Sequence, residues 1–321
     1  MSEAKALLPL VAIVGPTASG KSALGVKLAE SLGGEVVACD STQLYPGFDI
    51  GTAKPSFPER RGIPHHLIDV LGPSEDATAG GYRQLALQTL EDLRERKRLP
   101  VFTVGTGLYL RALLEGLADV PQRSEELRER LRASVEDHPP GHLHRLLKRL
   151  DPEAAGKIAP ADEQKLIRAI EVCILARKPI SKVHTSGRVP LEGWRVLKVG
   201  LMPPREKLNE RIHSRTDAML ERGWMREVQA LLESGMSEDS KPFDFIGYRE
   251  LRAVLRGQMT MQKAREAIQQ ATRRYAKRQL TWFRKEPAVQ WFSGLGDDAG
   301  VQNVIFEWLQ TEGLKEQKPF N

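Results

Sequence analysis

Cysteine is nearly absent: Cys39 and Cys173 are the only two in 321 residues. They lie far apart and in no ligand-like spacing, which argues against a disulfide framework or a thiolate zinc site and points to a reducing compartment. Long apolar runs are missing as well. No segment approaches the roughly 20 residues a membrane helix needs. The run from Leu7 to Val14 leads straight into a glycine-rich loop and lacks the form of a secretory signal. His142 and His144 lie two apart, without the i, i+4 spacing of a helical metal site. There is no internal repeat and no low-complexity tract. These absences favour a cytoplasmic protein with no membrane association, and the expectation is a monomer.

What is present is an ordinary globular mixture, 40% hydrophobic and 28% charged, with 48 Lys and Arg against 42 Asp and Glu, a net charge of +6. Leu7–Val14 has the β-branched texture of a buried strand, and Lys21–Leu32 sets Leu24, Leu28 and Leu32 on one helical face. Glu35–Cys39 reads as a second strand, Ile68–Leu71 as a short third, Gln84–Arg98 as an amphipathic helix and Pro100–Val104 as a strand. Such a strand–loop–helix–strand order favours a parallel sheet with right-handed crossovers. Near Asp119 the texture turns helical and charge-rich, and β signals return at Trp194–Leu201. Two basic helices are expected over Arg205–Ser234 and Thr260–Lys285. The expected organisation is an α/β core (1–118), a helical insertion (119–193), the rest of the core (194–285) and a less patterned tail (286–321).

The segment Gly15-Pro16-Thr17-Ala18-Ser19-Gly20-Lys21-Ser22 fits the phosphate-loop pattern, with a strand before it and a helix after it. Glycines let successive amides turn inward, the helix start adds its positive dipole end, Lys21 reaches terminal phosphate oxygens, and the Ser22 hydroxyl suits a phosphate-bound Mg²⁺. A nucleoside-triphosphate hydrolase usually adds a strand ending in Asp. Here Pro100–Val104 runs into Gly105-Thr106-Gly107, and the acid instead closes the second strand as Asp40. That carboxylate could hold a metal, act as a general base or cap a turn. On pattern alone, an ATP-dependent small-molecule phosphotransferase leads.

Longer stretches carry a resemblance. Gly15–Ser22, Asp40–Tyr45 (DSTQLY), Asp49–Pro55 (DIGTAKP), Pro64–Asp69 (PHHLID), Gly105–Leu113 (GTGLYLRAL), Gly247-Tyr248-Arg249 and Ala276–Arg284 (AKRQLTWFR) occur in order over about nine-tenths of the chain. Together they resemble the bacterial tRNA dimethylallyltransferases. The resemblance implies a P-loop NTPase-like parallel sheet flanked by helices, with an inserted α-helical domain that embraces the tRNA anticodon arm. It also implies transfer of a dimethylallyl group from dimethylallyl diphosphate to the exocyclic amine of the adenosine 3′ of the anticodon, with Mg²⁺. The loop then holds diphosphate in place of a nucleotide. One departure is visible: Val104 stands where the family commonly has the first glycine of Gly-Gly-Thr.

By resemblance, Asp40 is the general base, Thr106 bonds diphosphate oxygens, and Arg215 is a second cation on the leaving group. Ser41, Thr42 and Gln43 receive the flipped adenine, for which Gln43 carries both donor and acceptor. The other implied RNA contacts are Arg128, Gln164, Lys165, Leu166, Ile167, Arg168, Gly247, Tyr248, Arg249, Arg278, Gln279, Trp282 and Arg284. Between Arg273 and Lys285 cations alternate with Tyr275, Trp282 and Phe283. That pattern suits RNA but equally suits a helix with a buried aromatic face. A non-catalytic RNA-binding module is the other rival.

Overall fold

A computed structural model of the chain describes residues 7–72, 75–183 and 187–315. Its sheet has six strands, all parallel, in the order β3-β2-β4-β1-β5-β6. These are β1 (Leu8–Val14), β2 (Gly34–Cys39), β3 (His65–His66), β4 (Leu99–Val104), β5 (Trp194–Leu201) and β6 (Val289–Phe292). Central parallel strands are covered on both faces, so they read as unbroken apolar runs. β1 fits: its last five residues, Leu10 to Val14, are fully buried. Helix Lys21–Leu32 lays Leu24, Leu28 and Leu32 into the same core as Val11, Ile13 and Val199.

The third strand lies three residues before its expected place. Leu67 and Asp69 have φ of 60° and 59°, which breaks extended pairing over Ile68–Leu71. The long basic helix is two, Arg205–Glu221 and Trp224–Glu233, parted by Gly223 at φ 101°. The described part of the tail, 286–315, is more regular than its patterning suggests. β6 pairs with β5, and helix Ala299–Thr311 buries Ile305 and Leu309 in the core.

Contacts divide the chain into Met1–Leu113 with Glu192–Asn321, and Leu114–Leu191. The second unit is helical: Glu125–Glu136, His142–Leu150, Pro152–Lys157 and Glu163–Ala176. Ser124, Asp151 and Asp162 cap three of these helices through side-chain oxygens that accept from Leu127, Ala154 and Lys165 amides. Leu143 with Leu147 and Leu166 with Ile170 repeat at i, i+4 and meet in one apolar cluster.

Candidate active site

β1 delivers the chain into the phosphate loop at the carboxyl edge of the sheet. Ala18 sits at φ 63°, a left-handed conformation unusual for alanine, at the tightest part of the turn. Gly20, at φ 89°, permits close packing from the far end of the chain: a Cβ there would lie 2.7 Å from Gly296 N and 2.8 Å from Asp297 Oδ1. Gly296 N also donates to Ser19 O at 2.8 Å. Residues 296–297 thus brace the loop from outside, and Asp297 holds Arg211 through its Oδ1 at 2.5 Å.

Lys21 folds back so that Nζ donates to Gly15 O (3.0 Å) and Pro16 O (2.8 Å). Burial brings its ammonium down to about 7; the Asp40 carboxylate opposes this and the Arg215 charge adds to it. Burial likewise lowers Arg215, to about 10, with Arg211 and Arg222 adding repulsion. Desolvated cations crowded together form a site that an anion would relieve. Lys21, Ser22, Arg211, Arg215 and Arg222 line one cavity of about 910 Å³. Arg211, Arg215 and Arg222 follow i, i+4, i+11 on one helical face, a stripe that sequence spacing could have extended to Arg222.

A second cavity, of about 330 Å³, has an apolar wall of Ile212, Met219, Trp224, Phe245 and Ile268, with Asp40, Ser41, Thr42 and Tyr275 opposite. The two cavities share Thr17, Ala18, Asp40, Thr52 and Arg215. Asp40 therefore stands where a cationic chamber meets a half-apolar one. Its Oδ1 accepts from Thr42 N (2.9 Å) and Thr42 Oγ1 (2.8 Å). Its Oδ2 lies 1.9 Å from where a Cβ on Gly105 would be, so only glycine fits there. Val104 simply ends β4, fully buried. The close approach belongs to Gly105, so the Val104 departure leaves Asp40 undisturbed. Ser22 and Asp40 offer hard oxygen donors beside the cationic cavity, a set that fits Mg²⁺ held chiefly by phosphate oxygens and water.

Several of the residues assigned by resemblance make bonds within the protein. The Thr106 hydroxyl accepts from Ser41 N (3.0 Å) and donates to Ser41 Oγ (3.2 Å), so it fixes the turn after Asp40. Gln43 lines the cationic cavity and donates weakly to Thr52 and Ala53 carbonyls, both at 3.4 Å. Leu166 and Ile167 bury their side chains in the core of the helical unit. Arg128 makes a bidentate pair with Glu171 (2.9 and 2.9 Å), and Arg168 adds 2.6 Å to the same carboxylate. Their charges are taken up in holding that unit together.

Tyr248 is fully buried, donating to Glu227 Oε1 at 2.6 Å and accepting from Gly51 N at 3.1 Å. A Cβ on Gly247 would lie 1.9 Å from the Trp224 ring. Tyr248 clamps the 49–52 loop that walls the apolar cavity, and Gly247 makes room for the Trp224 ring of that wall. Trp282 is taken up by Gly107, whose Cβ would lie 2.2 Å from the ring, and by Arg111 at 4.6 Å. Gln279 is 6% exposed, with both ends of its amide bonded inside the protein. Gln164, Lys165, Arg249, Arg278 and Arg284 remain exposed.

A parallel sheet with this loop at its carboxyl edge defines a P-loop NTPase-like α/β enzyme. The profile of the IPP transferase family matches residues 43–286, and that of isopentenyl transferase residues 8–69. The tRNA dimethylallyltransferase of Koribacter versatilis is 50% identical over 302 residues, 94% of this chain and 98% of that one. That of Solibacter usitatus is 48% identical, over 94% and 97%. Among solved structures, the tRNA isopentenylpyrophosphate transferase of Bacillus halodurans superimposes with a TM-score of 0.68 at 38% identity, over 95% of this chain and 98% of that one. A eukaryotic dimethylallyltransferase acting on tRNA shares the fold at a TM-score of 0.78 and 24% identity, over 97% and 81%. The chain belongs to the IPP transferase family and is a prenyltransferase.

Proposed function

We propose that this enzyme transfers a dimethylallyl group from dimethylallyl diphosphate to the N6 amine of the adenosine 3′-adjacent to the tRNA anticodon, releasing diphosphate. The observation that carries the reading is the meeting of the two cavities at Asp40 and Arg215. The diphosphate lies in the cationic chamber against the loop amides, Lys21 and Arg215. The allyl tail and flipped adenine lie along the apolar wall, Ser41 and Thr42. The amine lone pair attacks the allylic carbon as its bond to oxygen breaks, the electron pair leaves with diphosphate, and Asp40 takes the amine proton. Lys21 and Arg215 face the oxygens where charge gathers, in a partly dry chamber where such contacts are strongest. Thr106 acts indirectly, by fixing the Asp40–Ser41 turn. Ser22 would help hold a phosphate-bound Mg²⁺, which would supply further charge neutralisation to the leaving group.

The exposed cations Lys165, Arg249, Arg278 and Arg284 with Gln164 form the anticodon-arm contacts in this reading, and the cytoplasm is its setting. The enzyme is taken to act as a monomer. An ATP-dependent phosphotransferase is not favoured, since the relatives carry the transferase name. The test is labelled dimethylallyl diphosphate with unmodified tRNA and Mg²⁺, without ATP. Label on the adenosine beside the anticodon is the expected result. ATP turnover with no labelled RNA would replace this reading with the kinase one.

A further inference from the structure

Gln279 sits on helix Met261–Phe283 and joins two segments remote in sequence. Its Oε1 accepts from Thr17 N at 2.6 Å, and its Nε2 donates to Gly105 O at 2.8 Å. These partners fix the amide's orientation, since the flipped form would set donor against donor and oxygen against oxygen. Tyr275, one turn earlier, donates its hydroxyl to the same Gly105 oxygen at 3.2 Å. The bridge is buried, where an unmade hydrogen bond is costly and a made one rigidifies its neighbours.

The two ends of the bridge carry opposite halves of the chemistry. Thr17 belongs to the phosphate loop and borders both cavities. Gly105 is the residue whose missing Cβ leaves room for Asp40 Oδ2. The Gly105 and Thr106 amides also both donate to Cys39 O, at 3.0 and 2.9 Å, immediately before Asp40. A shift of Gly105 therefore moves the surroundings of the carboxylate, and the phosphate loop cannot shift without pulling on Gly105.

We propose that Gln279 is a positioning residue that sets the separation between the diphosphate cradle and the Asp40 carboxylate. Displacement at an allylic carbon needs amine, carbon and leaving oxygen in line, and a misplacement of about 1 Å costs on the order of 10²-fold in rate. Gln279 acts through Thr17 and Gly105, so its effect falls on kcat and not on ground-state affinity. The same bond withdraws the Thr17 amide from the anion, leaving Lys21 and the later loop amides to hold it.

The inference rests on the transfer reaction above for its kinetic readout, and the test separates the two. Gln279→Met keeps the volume and removes both hydrogen bonds. Steady-state transfer is measured on the full chain beside wild type, with dimethylallyl diphosphate and unmodified tRNA. The expected result is kcat lower by about 10–100-fold, with both KM values within about threefold. Tyr275→Phe removes the hydroxyl that bonds Gly105 and keeps the ring in the cavity wall, and kcat falls by about threefold. Amide exchange over residues 15–22, read by mass spectrometry, is faster in Gln279→Met whether or not any substrate is turned over.

An unchanged kcat overturns the proposal. So does a raised KM for tRNA at intact kcat, which would make Gln279 an RNA contact. If wild type transfers no label, the reaction fails and the bridge is judged by exchange alone. Unchanged loop exchange in Gln279→Met then overturns it. Should Gln279→Met fail to fold, Tyr275→Phe decides, and wild-type kcat in that variant counts against the bridge.

Discussion

Arginine serves two opposite purposes in this chain. In the helical unit, Arg128 and Arg168 converge on the fully buried Glu171, whose carboxylate holds both guanidinium groups within hydrogen-bond reach. In the core, Arg215 and Lys21 stand beside Arg211 and Arg222, and burial with mutual repulsion holds both below their ordinary values. One arrangement is closed and complete without a ligand. The other is charged and incomplete until an anion arrives. A cation near a carboxylate tells little by itself; whether its charge is already answered by the protein tells whether it is free for a substrate.

Removing the answering charge breaks the first arrangement most severely. Glu171→Gln leaves two guanidinium groups without their carboxylate, and a loss of roughly 3 kcal/mol is expected in chemical denaturation. Calorimetric affinity for inorganic diphosphate should stay as in wild type. A Glu171→Gln protein as stable as wild type would show that the triad is ornamental.

Asp40→Asn strikes where the cavities meet. Turnover should fall by about 10²-fold or more, as loss of a general base does, with binding of both substrates retained. Unaltered single-turnover rates would take Asp40 out of the chemistry.

Lys21→Ala removes a cation the protein holds at a cost. Affinity for inorganic diphosphate is expected to drop on the order of 10-fold or more, the scale of a hydrogen bond to a charged group. The melting temperature should change little, because losing the bonds to the Gly15 and Pro16 carbonyls is offset by removing a buried, crowded cation. A sharp fall in melting temperature would put Lys21 in the class of Arg128.

Acid separates the arrangements again. Arg128, Arg168 and the Ser124 amide outweigh burial at Glu171 and hold its carboxyl down to about 2, against an ordinary value near 4.5. The folded state therefore stays ionised where the unfolded chain takes up a proton. Its stabilising contribution is full above about 4.5 and disappears as pH falls toward 2. Stability measured across that window should flatten in Glu171→Gln; an identical slope in both proteins would assign the acid sensitivity elsewhere.

The smallest effect belongs to the exposed surface. RNA affinity should fall steeply with salt, and Arg278→Ala should lower the slope of log affinity against log salt by about one. A flat salt response would return these cations to ordinary surface.

The phosphate loop, Asp40 and the parallel sheet were legible in the sequence because each is local. A glycine pattern between a strand and a helix, or an acid at a strand end, declares itself within a few residues. Glu171 was not read as the partner of Arg128, because 43 residues separate them and a paired arginine is spelled like an RNA-facing one. The burial of Tyr248 was hidden for the same reason: a motif tyrosine can clamp a wall from inside as readily as touch a ligand. The Gln279–Thr17 bond spans 262 positions, beyond any periodicity. β6 is only four residues long and took its identity from β5 beside it.

The brace of Gly296 and Asp297 against Ser19, Gly20 and Arg211 has a consequence in time. Synthesis runs from the amino end, so the phosphate loop leaves the ribosome well before its outer support. A nascent chain halted between residues 22 and 296 carries the whole glycine pattern and still lacks its outer brace. The loop's sequence is thus complete well before its support, and a truncation ahead of Gly296 leaves the loop without that brace.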